Sequence, residues 1–266
     1  MLIDFTSFSI VTAFLFGTIV GSFLNVVILR LPREEASIVF PASHCPACLT
    51  ELHWYENIPI LSFLFLRGRC GHCNKKISFQ YPLVELSMAL LSAALVQQFG
   101  LSVTAAGYFL FCAALLVIIW IDIKHQIIPD IISLPGIFAG LLFSLISPAL
   151  HWSDSLIGIL AGGGILYGIA LIYFLWRRIE GMGGGDIKLL AMIGAFLGWQ
   201  ALPFVIFASS LSGTFIGLLA MIKQKKGGQT RIPFGPFLSL AALTYVFFRE
   251  QIFHLYQYYL TVSFPY

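Results

Sequence analysis

Charge is what this sequence has least of. Asp, Glu, Lys and Arg make up 10% of its 266 residues, and hydrophobic residues make up 59%. A soluble domain carries about 25% charge and 45 to 50% apolar residues, so a water-soluble globular enzyme is excluded. Disordered and coiled-coil chains, which need abundant charge, are excluded with it. No sign dominates either: 15 Lys and Arg against 12 Asp and Glu leave +3, too balanced to suggest a nucleic-acid-binding surface. The first apolar stretch, Phe8 to Leu29, lacks a basic segment ahead of it and a small-residue cleavage site, so it is expected to stay as a membrane helix and not to act as a signal peptide. No low-complexity segment or internal repeat is evident. Cysteine is sparse, with four of the five residues gathered in one short stretch.

Hydrophobic runs fill the rest. At about 20 apolar residues per transmembrane helix, eight helices use about 160 residues and leave roughly 100 for loops and one small insert. Candidate runs are Phe8–Leu29, Leu83–Val96, Val103–Ile121, Ile131–Ile146, Leu156–Trp176, Leu189–Gly198, Phe204–Ile222 and Phe237–Phe248, with Trp199, Gln200 and Pro203 marking a turn between the sixth and seventh. Basic residues near helix ends are retained on the cytoplasmic side. With the N-terminus outside, eight crossings place every Lys and Arg except Arg249 in cytoplasmic segments. A seven- or nine-helix count breaks that agreement. The expected fold is therefore an all-α polytopic membrane protein of about eight transmembrane helices, with both termini outward and a small cytosolic insert between helices 1 and 2. The domains read as 1–31 (first transmembrane helix), 32–81 (insert) and 82–266 (membrane domain of about seven helices).

The insert is short enough to need a staple. Cys45-Pro-Ala-Cys48 and Cys70-Gly-His-Cys73 have the spacing of two zinc knuckles, whose four thiolates close a tetrahedron around one structural Zn2+. Disulfides are the competing reading, and the reducing cytosol disfavours them. His44 and His72 lie beside the knuckles and are read as spectators, and Cys112 as helix packing.

Carboxylates at the edge of hydrocarbon need a partner, a wet cavity or a task. Asp122 ends the Val103–Ile121 run, and Asp186 follows Gly183, Gly184 and Gly185 at the start of a later helix. The topology brings both to the cytoplasmic boundary. Two carboxylates sharing one proton there would run aspartic-protease chemistry, one acting as base toward water and the other polarising a peptide carbonyl. The glycines would let a substrate backbone approach. The competing structural reading makes Asp186 a helix N-cap and the glycines packing residues. Asp130, after Ile-Ile-Pro, suits a turn or the first turn of the next helix. Gly162-Gly-Gly164, within an apolar run, reads as helix packing and not as a cofactor loop.

The residues at 22–32 (SFLNVVILRLP), the paired cysteine knuckles, 54–59 (WYENIP), 77–85 (ISFQYPLVE), the Asp122–Asp130 segment and the Gly-x-Gly-Asp-x-Lys motif ending at Lys188 together resemble the type IV prepilin leader peptidases, GxGD-type aspartic peptidases of pili and type II secretion that also act as N-methyltransferases. The resemblance implies cleavage of a prepilin or pseudopilin after the glycine that ends its basic leader. It also implies methylation of the new N-terminal residue from S-adenosylmethionine. It carries the two catalytic aspartates onto Asp122 and Asp186, with Gly183, Gly184, Gly185, Lys188 and Asp130 as supporting residues. It implies a bacterial inner-membrane location, with the lipid bilayer and a substrate bearing a hydrophobic stem as partners. Leu29 and Gln80 depart from the Tyr and Arg found in many relatives, both in the region linked to methylation. Glu56, Asn57 and Glu85 are the polar residues expected to serve methyl transfer, against a purely structural role. Glu34 and Glu35 are expected to receive the basic leader. Three readings compete: a peptidase without methyltransferase activity, an ion-coupled transporter using Asp122, Asp130 and Asp186, and an assembly factor that has lost catalysis.

Overall fold

The computed structural model describes residues 5–33, 37, 40, 43–178, 183–224 and 233–263. Glu34 and Glu35, and Gly181 and Met182 of the glycine motif, lie outside the described residues. Regular structure among the described residues is helical, apart from isolated bridges between His44 and Glu51 and between Arg69 and Lys76.

Each of the eight apolar runs falls on a helix: α1 (Phe5–Arg30), α3 (Gln80–Phe99), α4 (Val103–His125), α5 (Asp130–Ile146), α6 (Trp152–Arg177), α7 (Gly184–Leu197), α8 (Leu202–Gln224) and α9 (Gly235–Ser263), with a short α2 (Leu61–Phe65) in the insert. Five segments, four of them in α1, α3, α4 and α6 and the fifth Trp199–Leu219, which runs from the turn before α8 into it, are long and apolar enough to cross a membrane, and α5 is a shorter apolar helix. The chain is thus multi-pass. It divides within α4 into two compact units, Met1–Ile121 and Asp122–Tyr266.

In the first unit α1 packs along α3. Gly17 and Gly21 let the two helices approach so closely that a methyl on Gly21 would lie 2.6 Å from Glu85 Cα, the small-residue contact expected of helices in lipid. Ser92 Oγ donates to Ala13 O at 2.7 Å and Asn25 Nδ2 to Tyr81 O at 3.0 Å, satisfying side chains that are otherwise buried. The outer face of α1, with Phe8, Val11, Leu15, Ile19 and Phe23, is exposed and apolar, as a lipid-facing surface must be.

In the second unit α7 is the centre. All nine residues from Leu189 to Leu197 are buried, because α5, α6 and α9 pack around them. An apolar helix enclosed on every side has no amphipathic pattern to show, and its 14 residues span about 21 Å, less than the hydrocarbon core of about 30 Å. Gly158 of α6 and Gly194 of α7 meet backbone to backbone, and Gly162 faces Leu190 O, leaving no room for a side chain at either crossing. The glycines of α6 that touch α7 therefore serve packing.

The far end of this unit is tied by polar contacts. Trp199 Nε1, in the turn after α7, donates to Asp154 at 3.0 Å. In α9 the backbone leaves helical geometry at Phe248, where the predicted apolar run stops, and Arg249 donates to Ala149 O at 3.1 Å. α9 then continues beyond the predicted run to Ser263, which hydropathy alone did not indicate because its last turns are polar and aromatic.

Candidate active site

At the opposite end of the second unit, three segments distant in sequence converge. The first is the C-terminus of α4. Asp122 sits in its last turns, 4% exposed, and the helix stops where Gln126 adopts a left-handed φ of 54°. The second is the N-terminus of α9. The amide of Gly235 donates to Asp122 Oδ2 at 3.0 Å, as the free N–H groups of a helix start readily do for an anion. A side chain here would displace the carboxylate, since a Cβ on Gly235 would lie 2.6 Å from Asp122 Oδ2.

The third segment is the start of α7. Asp186 lies in its first turn, ahead of the buried apolar stretch and outside the membrane-spanning segments. Gly183 occupies the N-cap and no side chain caps the helix, so Asp186 is not spent on capping. Burial, and then the negative charge of Asp122, push the Asp186 carboxyl up to about 6. The two acids are thus electrostatic neighbours although 64 positions apart, close enough for the charge of Asp122 to oppose ionisation of Asp186.

Smaller contacts hold the three segments in place. Ile128 fills the space beside both Gly185 and Gly235, so that a methyl on either glycine would press on it at 2.9 and 3.1 Å. Asp130, the first residue of α5, takes Lys188 Nζ on both carboxylate oxygens at 2.7 Å, tying the start of α5 to the first turn of α7. Gly183 and Gly184 are exposed with open space where side chains would stand. Gly235 and Ile128 were not singled out from the sequence. The available signal was Pro233-Phe-Gly-Pro236, because a proline just inside a helix start marks an N-terminus with free amides.

The insert holds a second cluster. Sγ atoms of Cys45, Cys48, Cys70 and Cys73 lie within 4.8 Å of one another, and Cys45 Sγ is 3.8 Å from Cys73 Sγ. A four-thiolate tetrahedron with metal–sulfur bonds of about 2.3 Å has sulfur–sulfur edges of about 3.8 Å, so the site fits a metal ion. The two knuckles repeat one design. The Cys45 amide donates to Thr50 O and the Leu49 amide returns to Cys45 O; the Cys70 amide donates to Lys75 O and the Asn74 amide returns to Cys70 O. Leu49 and Asn74 both take φ of 58°. Hydrogen bonds from Thr50 draw the Cys48 thiol down to about 6, while burial and the neighbouring cysteines oppose ionisation of Cys73, which is pushed up to about 11.

The three residues expected to serve methyl transfer separate. Asn57 lines a cavity of about 290 Å³ together with Ser22, Phe23, Val26, Ser43 and Pro59. Glu85 is buried in α3 and accepts from the Ile60 amide at 2.7 Å, fixing a residue held at a φ of 62° at the start of α2. Glu56 turns away to the His53 amide and His72. Gln80 is buried against Asn25, to which its amide donates at 3.4 Å. Cys112 is buried in α4.

Comparison with known proteins finds a match for each part of the chain. Residues 15–99 match the Bacterial Peptidase A24 N-terminal domain, and residues 109–218 match the Type IV leader peptidase family. The chain is 38% identical to a prepilin leader peptidase/N-methyltransferase of Stutzerimonas stutzeri over 91% of its length and 92% of that protein. It is 40% identical to one of Aeromonas hydrophila over 86% and 87%, and 38% identical to one of Pseudomonas aeruginosa over 91% of each. No solved structure matches the chain significantly. With most of its length matched to these relatives, the chain belongs to the type IV leader peptidase family.

Proposed function

We propose that this protein is a membrane aspartic endopeptidase that removes the leader of type IV prepilins and pseudopilins after glycine and methylates the new N-terminus. The observation that carries the reading is the juxtaposition of Asp122 and Asp186, one buried against the Gly235 amide and the other opposed in its ionisation by that neighbour. The ionised carboxylate takes a proton from water as the oxygen attacks the scissile carbonyl carbon, while the protonated one donates a hydrogen bond to the carbonyl oxygen. When the C–N bond breaks, the proton goes to the departing amine and the pair again holds one proton.

Topology supports the choice of substrate. A prepilin with a basic leader in the cytosol and an apolar stem in the bilayer presents its scissile bond at the inner-membrane boundary, the depth to which the basic-residue distribution assigns both acids. Gly183 and Gly184, open to solvent, leave room for an extended backbone. In this reading the inner-membrane domain is 82–266, and both termini face outward.

Zinc is the metal proposed for Cys45, Cys48, Cys70 and Cys73. Four thiolates close its coordination, so it would hold the 32–81 insert together and leave no open position for a substrate. S-adenosylmethionine would supply an electrophilic methyl group to the amine released by cleavage. The cavity walled by Asn57, Ser22 and Ser43 is the proposed place for it, being at the lower end of small-molecule sites in size and carrying polar groups on an apolar wall. Incubating purified enzyme with prepilin and a labelled methyl donor tests both activities. Wild type should give a shortened, labelled product, and Asp186→Asn should give uncleaved substrate. Cleavage retained in Asp186→Asn would remove the mechanism, and cleaved but unlabelled product from wild type would leave a peptidase alone.

A further inference from the structure

Beside the four-cysteine cluster lies a second convergence of metal-binding side chains, made of His53, Glu56 and His72. Each offers one ligand atom, and the three atoms lie within 4.8 Å of one another. Glu56 belongs to the turn Trp54–Asn57. Its side chain is 6% exposed and stands 3.4 Å from His72 Nε2, whose own side chain is 36% exposed. The backbone is shaped for this approach: a Cβ on Gly71 would sit 2.7 Å from Glu56 Oε1, so glycine before His72 lets the second knuckle lie on the carboxylate without pushing it aside.

The orienting contacts of a metal site are also present. The His53 amide donates to Glu56 Oε2 at 3.0 Å, fixing the carboxylate. The His53 ring stacks on Tyr55 at 5.3 Å and 16° and lies 5.9 Å from the His72 ring. Such support is what holds first ligands in place at metal centres. The rings of both His53 and His72 reach the one carboxylate, and the His53 ring also caps the start of the turn that carries it. A divalent ion placed between them would be shared by all three groups.

We infer that His53, Glu56 and His72 form a second divalent-metal site, distinct from the four-thiolate cluster. Two imidazole nitrogens and one carboxylate suit a borderline ion such as Zn2+, Co2+ or Ni2+ and leave at least one coordination position open. The four-cysteine site is closed and structural, whereas this one faces solvent and exchanges its ion.

The test uses the full-length protein in detergent, stripped of metal and loaded with Co2+ alone. Metal content and absorption should give two equivalents per chain. One carries the thiolate-to-cobalt charge-transfer bands, and the other carries weaker visible bands without them. His72→Gln and His53→Gln should each bind one equivalent with the charge-transfer bands intact, while His44→Gln, outside the set, should still bind two. The charge-transfer bands report that the knuckles remain folded in each variant, and His53 lies outside both knuckles. A single equivalent in wild type, or two equivalents retained in both His53→Gln and His72→Gln, overturns the site.

Discussion

The carboxylate of Asp122 receives its hydrogen bond from the backbone amide of Gly235, 3.0 Å away and 113 residues along the chain. The start of α9 thus completes a site whose acids lie on α4 and α7. Because a methyl at Gly235 would stand 2.6 Å from Asp122 Oδ2, Gly235→Ala should lower kcat for prepilin cleavage by on the order of 10- to 100-fold, the usual consequence of displacing a reacting group. Metal content of the insert should not change. Steady-state kinetics with wild-type-like metal analysis checks both halves.

Asp122→Asn and Asp186→Asn should each abolish cleavage, by on the order of 1,000-fold or more, since each removes one partner in the proton transfers. The loss should not be additive in the double variant, because the two carboxyls act as a unit. Single-turnover assays on the three variants would show it, and additive losses would contradict a shared role.

Asp186 keeps its proton until the pH reaches about 6, well above the ordinary value of 3.8. Between these values the folded protein binds more protons than the unfolded chain, so this residue's contribution to stability falls as pH rises through the window. Asp186→Asn should therefore raise the melting temperature relative to wild type at pH 7 and have little effect near pH 4. The gain should be at most about 3 kcal/mol, from 1.36 kcal/mol per pKa unit. On the activity side, kcat/KM should decline as pH rises past about 6 and the last shared proton is lost.

The Lys188–Asp130 pair is partly exposed, with side-chain accessibilities of 36% and 55%. Surface ion pairs contribute about 0 to 1 kcal/mol, so Lys188→Met or Asp130→Asn should hardly shift the melting temperature. Cleavage should nonetheless fall roughly 10-fold, because the pair orients the first turn that carries Asp186. Equal losses in stability and rate would make the pair merely structural.

Chelation, or Cys70→Ser, should release the metal and loosen the insert while cleavage declines less than methyl transfer. The thiolate cluster and the acid pair lie in separate compact units. Parallel assays of leader removal and methyl incorporation after chelator treatment decide this, and simultaneous loss of both would tie the insert to proteolysis.

Much of this was legible from the sequence. The apolar runs lasted long enough to define eight helices, and two Cys-x-x-Cys pairs in a short polar insert point to a cluster able to hold a metal, because ligand spacing is a local property. Two acids stood out because charge is rare in such a chain. Less visible was α7, whose all-round burial erases any periodic pattern, and which is a short enclosed helix and not a full-length apolar span. Glu56 and Asn57 are adjacent in sequence yet face a histidine pair and a cavity respectively, since a tight turn sends neighbouring side chains in different directions.

The sequence by itself therefore determined the medium and the helices, and picked out four cysteines as candidate ligands and two acids as candidate catalysts, all of which depend on composition and short spacing. Only the tertiary structure decided that the Gly235 amide meets Asp122, that Ile128 wedges against Gly185 and Gly235, and that His53 and His72 close on Glu56. Those relations arise where helix ends and turns remote in the chain are brought together by packing. No local periodicity encodes which free amide or imidazole a buried carboxylate will find.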